Sequence, residues 1–188
     1  MSNREITGTT SQTVKKASSE LRLVGWIGFW LQLILAVVST LIFLFAIPAA
    51  NMGVKNPGTG GSLFFAVCGL LGLYVSIYWF FKYVTIGRKL RNPDLRPKKA
   101  DTIKSIQLGL IISSIGMAFT ILGAESISGT LLGKSLAIAQ PFAVYSPDTL
   151  SKIIQPIDIF IVLGNTHTIT AHFLGLLGSL FLLYRTTK

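Results

Sequence analysis

Four long apolar runs constrain this chain more than anything else in it. Each reaches the roughly 20 residues that a helix rising 1.5 Å per residue needs to cross a bilayer. They lie at about residues 23–47, 62–86, 106–127 and 157–184. Charged residues make up 13% of the chain, well below the roughly 25% of an ordinary soluble domain. The expected fold is all-α: a polytopic membrane protein with about four transmembrane helices plus a short interfacial helix. A polar cytoplasmic tail over residues 1–22 would precede a single four-helix domain over 23–188.

The net charge of +10 does not point to nucleic acid, because the aromatic residues sit inside the apolar runs and do not alternate with the basic ones on a stacking platform. Seven of the 17 lysines and arginines fall between Arg88 and Lys104. By the positive-inside rule this loop, residues 88–104, is cytoplasmic. Lys15, Lys16 and Arg22 before the first run, and Arg185 and Lys188 after the last, place both termini on the same side. A specific anionic-lipid or protein docking site is an alternative reading of the loop. Within it NPDLRP reads as a turn, with Asp101 or Thr102 placed to cap the third helix. The segment NMGVKNPGTGG makes a tight turn that sets helices one and two antiparallel.

The third connection, residues 129–156, is too long and apolar for a solvated loop. Part of it should lie at the outer interface or continue helix three. Ser146, Pro147 and Asp148 make a helix start before Leu150, Ile153 and Ile154, so Ser146–Gln155 is expected to be a short amphipathic helix on the outer leaflet; a lid or re-entrant segment is the other reading. The one cysteine, Cys68, excludes an intrachain disulfide and multi-cysteine metal sites. AIPAAN, from Ala46, resembles a signal-peptidase site, but the run before it is too long for an h-region and reads as a retained helix. No repeat supports an inverted-repeat transporter.

Helix three carries Gly109, Ser113, Gly116, Thr120 and Gly123, spaced four, three, four, three. Such a stripe lets membrane helices approach closely. Gly69, Gly72 and Ser76 make a shorter one on helix two. Both are read as packing faces. Glu125 stands near the outer end of helix three, where it either meets interfacial water or faces the bundle to bind a cation or proton.

Helix four holds both histidines of the chain. Asp158, Asn165, His172 and Ser179 recur every seven residues, a step that turns a straight helix by only about 20°. Thr168 and Gly175 fill the same stripe, so one face is polar and the remainder suits lipid. His167 is off it. His172 falls near the midplane, where the alternatives are a histidine bonded to a neighbouring hydroxyl or to Gln32, a transport or ion-coupling role, and permanent metal ligation. The last is disfavoured, because His172, Asp158 and Glu125 lack the close ligand pairs of helical metal sites. No hydrolase, zincin or phosphate-loop motif is present. The chain is therefore read as non-enzymatic and without a cofactor.

The run LGAESISGTLLGKSL, the following SPDTL and then IDIFIVLGNTHTITAHFLGLLGSLFLL resemble a four-helix, permease-like family shared by cyanobacteria and the chloroplast inner envelope. Its plant member is described both as an iron permease and as a component of the protein-import apparatus. The plant form has Asn-Thr-Asn where this chain has Asn165, Thr166 and His167; this departure weakens any essential role for His167. Its His-Phe and Ser-Leu landmarks match His172 with Phe173 and Ser179 with Leu180. The resemblance implies transition-metal (iron) movement across a cyanobacterial plasma membrane or thylakoid. The alternative is a non-transporting scaffold or assembly subunit, including one of a protein translocon. The expected partners are the lipid bilayer, a transported metal cation and either further copies of the chain or a membrane complex. The small-residue stripes are candidate interfaces between copies.

Overall fold

The computed structural model describes residues 3–52, 59–138 and 153–187. Helix α1 spans Asn3–Met52, α2 Thr59–Arg91, α3 Lys99–Ile138 and α4 Pro156–Thr187. There is no strand among the described residues. All four helices are long and apolar enough to cross a membrane, and the protein is an integral membrane protein.

Helices α1 and α2 pack together, as do α2 and α3, α3 and α4, and α4 and α1. The helices thus occupy the corners of a square. Helices α2 and α4 touch lightly across one diagonal, whereas the backbones of α1 and α3, among the described residues, do not approach closely across the other. The outward faces carry large apolar side chains such as Phe45, Phe64, Leu71 and Ile111. A water-soluble bundle could not leave so much apolar surface uncovered; in hydrocarbon it is the ordinary lipid face.

The helices outrun their apolar cores. The division drawn at residue 22 is absent, because α1 is already helical at Asn3 and its polar stretch packs. Ser18 is buried and donates to the Gly87 carbonyl at 2.6 Å, and Leu21 is buried with Tyr83, Ile106 and Leu182. The segment KKASSELR is rich in good helix formers, so hydropathy falls there while helicity does not. Helix α3 likewise continues through Gly129 to Ile138, taking up the start of the expected outer segment. The helix expected at Ser146–Gln155 lies mostly outside the described residues; its last three, Ile153 to Gln155, are not helical.

Between α2 and α3 the Asn92 side chain accepts from the Asp94 N–H and starts a 3-10 turn, Pro93–Leu95. The cap of α3 falls earlier than the sequence suggests. Asp101 and Thr102 both donate their backbone N–H to the Lys98 carbonyl, so they lie inside the first turn. Pro97 fixes the chain direction just before it. An Arg185–Glu20 ion pair at 2.6 Å joins the end of α4 to α1. The basic flanks therefore gather at one end of the bundle.

Candidate functional site

The polar face of α4 lies in the middle of the square, and each of its side chains meets a different layer of the neighbouring helices. Asn165, Thr168, His172 and Ser179 are all buried. Nearest the basic end, the Tyr83 hydroxyl lies 3.1 Å from Ser179 Oγ and 3.2 Å from the Ile106 carbonyl oxygen, to which it donates. Gly109 makes room for that tyrosine, since a Cβ there would overlap its hydroxyl.

One layer further in, Gln32 is fully buried. Its amide nitrogen donates to Ser76 Oγ at 3.0 Å and to the Ala171 carbonyl at 3.1 Å. Ser76 in turn lies 3.1 Å from Ser113 Oγ. Gly175 closes over this cluster, as a Cβ would meet Ser113 Oγ at 2.8 Å. Four helices are thereby joined in one plane. The sequence placed Gln32 beside His172 as a candidate partner; the structure gives it the serines instead.

His172 is next. Its Nε2 lies 3.0 Å from the Gly69 carbonyl oxygen, which has a second lone pair left over from the helix ladder. The ring lies against α3 at Gly116, where an added methyl would overlap it, and a Cβ on Gly72 of α2 would stand 3.1 Å from Gly116 Cα. The glycines thus form a slot for an imidazole. His172 Nδ1 is buried without a hydrogen-bond partner.

Two turns toward the other end, Asn165 donates to the Thr120 carbonyl at 3.1 Å. Its Oδ1 is likewise unpartnered and buried, facing Gly123. Thr168 donates to the Gly164 carbonyl at 3.0 Å and Ser39 to the same oxygen at 2.9 Å. Gly69 approaches Thr120 so closely that a Cβ there would overlap its hydroxyl. The stripe on α3 is therefore consumed inside the bundle, and so is Gly69 on α2. A contact between copies would have to use other faces.

At the end away from the basic flanks Asp158 is only partly buried. Both its oxygens accept from Lys134 Nζ, at 3.0 and 2.8 Å. One also accepts from the Gln155 N–H at 2.8 Å, while Asp158 N–H donates to the Gln155 carbonyl at 2.9 Å. That reciprocal pair caps α4, with Pro156 at its first position. A cavity of about 30 Å³ beside Asp158, lined also by Ser62 and Thr130, has room for one water. Lys134 was not singled out from the sequence, although a lone cation in GTLLGKSLAI was the available signal. Glu125, by contrast, is exposed and does not join Asp158. His167 turns back on its own helix, Nδ1 lying 2.8 Å from the Leu163 carbonyl oxygen.

Among the described residues no three or more of His, Cys, Asp and Glu come together as a metal-holding group. His172 and Asn165 are seven residues apart, about 10 Å along the helix, so they cannot chelate one ion together. The arrangement offers two separate buried unpartnered atoms and, at one end of the bundle, an acid paired with a lysine.

A family model described as "Protein of unknown function (DUF3611)" matches residues 11–187. The chain is also 30% identical over 182 residues to "Protein TIC 21, chloroplastic" of Arabidopsis thaliana, with 94% of this chain and 60% of that protein covered. It thus spans about three fifths of the length of that curated relative. No solved structure matches.

Proposed function

The chain belongs to the protein family of unknown function DUF3611, and on that premise we propose that it is a permease-type membrane transport protein for a transition-metal cation, iron foremost. It works without catalysis, as a homo-oligomer or within a larger membrane complex. Four helices long and apolar enough to cross a membrane support the choice of class. The observation that carries the transport reading is the pair of unpartnered buried atoms, His172 Nδ1 and Asn165 Oδ1, on one face of α4. Leaving such an atom unsatisfied costs about 1–3 kcal/mol, so packing alone is a poor reason to keep two. A passing cation, or the water around it, would supply the missing partner, and imidazole nitrogen suits ferrous iron. Stations about 10 Å apart then act in succession, with Asp158 at the mouth.

A second reading has its own observation. The His172 ring fills a glycine slot without room for a methyl group, and the Gln32 layer ties all four helices together. Those are properties of a rigid assembly subunit.

Uptake of ferrous iron by liposomes containing the purified full chain, with and without a proton gradient, separates the two. Transport predicts uptake that His172→Phe abolishes while the bundle stays assembled. An assembly subunit predicts no uptake by the unmodified chain and a looser bundle or complex in the variant. In the transport reading the basic end faces the cytoplasm of a cyanobacterial cell, and the membrane is the plasma membrane or thylakoid. Single cysteines at Thr59 and Lys98, in a Cys68→Ser background, should then label from opposite sides.

A further inference from the structure

Four cations drawn from distant parts of the chain line one cavity of about 740 Å³ at the basic end of the bundle: Lys16 of α1, Arg96 of the turn after α2, Lys99 at the start of α3 and Arg185 of α4. Among the described residues the one acid in its wall is Glu20, already bound to Arg185. Asp94 and Asp101, in the segment between α2 and the first turn of α3, are exposed and are not part of the wall. Among the described residues Lys16 and Lys99 have no ion-pair partner. Arg96 donates its Nε to the Leu90 carbonyl at 3.3 Å, which orients the guanidinium. Leu90 and Pro97 supply apolar lining. The positive end of the α3 dipole opens at Lys99 in the same wall.

Orienting a membrane protein requires only that basic residues flank its spans on one side. It does not require them to converge from four segments on a single apolar-floored cavity at the level where spans end. Convergent cations with an apolar floor match a phosphoryl anion carried on a hydrophobic body. We propose that this cavity binds a phosphoryl group, that of an anionic phospholipid headgroup or of free phosphate, with Lys16, Arg96 and Lys99 as its donors. The site is independent of the transport reading and lies at the opposite end of the bundle from Asp158.

The test uses the full chain, purified in detergent and titrated with phosphatidylglycerol, phosphatidylcholine or inorganic phosphate while thermal stability and bound lipid are measured. Phosphatidylglycerol should bind and phosphatidylcholine should not. Lys16→Gln with Lys99→Gln should weaken binding about tenfold; both residues are exposed, so the fold is retained. Arg88→Gln with Lys89→Gln removes the same charge from exposed positions outside the cavity and should leave binding unchanged. Displacement of the lipid by millimolar phosphate, or phosphate binding alone, assigns the site to the free anion; lipid binding that survives phosphate assigns it to the headgroup. Equal binding of both lipids, equal weakening by the two double variants, or no binding of either anion overturns the proposal.

Discussion

The middle of the bundle and the end that holds Asp158 handle polarity in opposite ways. In the middle, Gln32, Ser76, Ser113, Asn165 and His172 are uncharged or able to be so, are almost wholly buried, and bond to backbone carbonyls or to one another. At the Asp158 end the polar groups include a full ion pair, Lys134 with Asp158, whose side chains keep 11% and 15% of their exposure, and Asp158 borders a water-sized cavity. Depth explains the contrast. A carbonyl in a helix has a spare lone pair and asks no desolvation of a second charge, so neutral donors can be met at the midplane. Two charges must lose their hydration together, and that penalty is tolerable only where water remains near.

The largest effect should come from closing the slot in the middle. Gly116→Leu drives a side chain into the His172 ring, and overpacking of this kind should cost about 3 kcal/mol or prevent the bundle from forming. Reversible unfolding in mixed micelles measures it. A variant as stable as the parent would mean that the histidine is not held there, and the contrast between the two regions would fail.

Lys134→Met should come next, at about 2 kcal/mol, because it leaves a half-buried carboxylate without its cation. Adding Asp158→Asn should recover part of the loss in a double-mutant cycle. Full recovery would show that the Lys134–Asp158 pair acts only through charge; none would show that Asp158 matters mainly as the cap of α4.

Gln32→Leu should cost about 1 kcal/mol, in the range of measured interhelical hydrogen bonds in membranes. Combined with His172→Phe it should be additive within about 0.5 kcal/mol, since the two layers share no bond. Strong coupling would join the layers into one network and sharpen the contrast with the Asp158 end. Glu125→Gln should change stability by less than about 0.5 kcal/mol, because the carboxylate is exposed. A larger loss would put a second acid at the mouth after all.

The sequence by itself determined the all-helical, four-span layout and the face of α4 that turns inward. Both follow from local quantities, apolar length and a seven-residue recurrence, that hold whatever the neighbours do. It also marked the small residues of α3, as a stripe for close helix approach. Only the tertiary structure decided that Gly109 and Gly116 are slots for Tyr83 and His172. It paired His172 with a backbone carbonyl and Gln32 with two serines. It also set Lys134, in place of Glu125, beside Asp158. Those assignments depend on which turn of one helix stands level with which turn of another. Periodicity gives a residue's angle about its own axis, but the axial offset between helices is fixed by packing that no single segment contains.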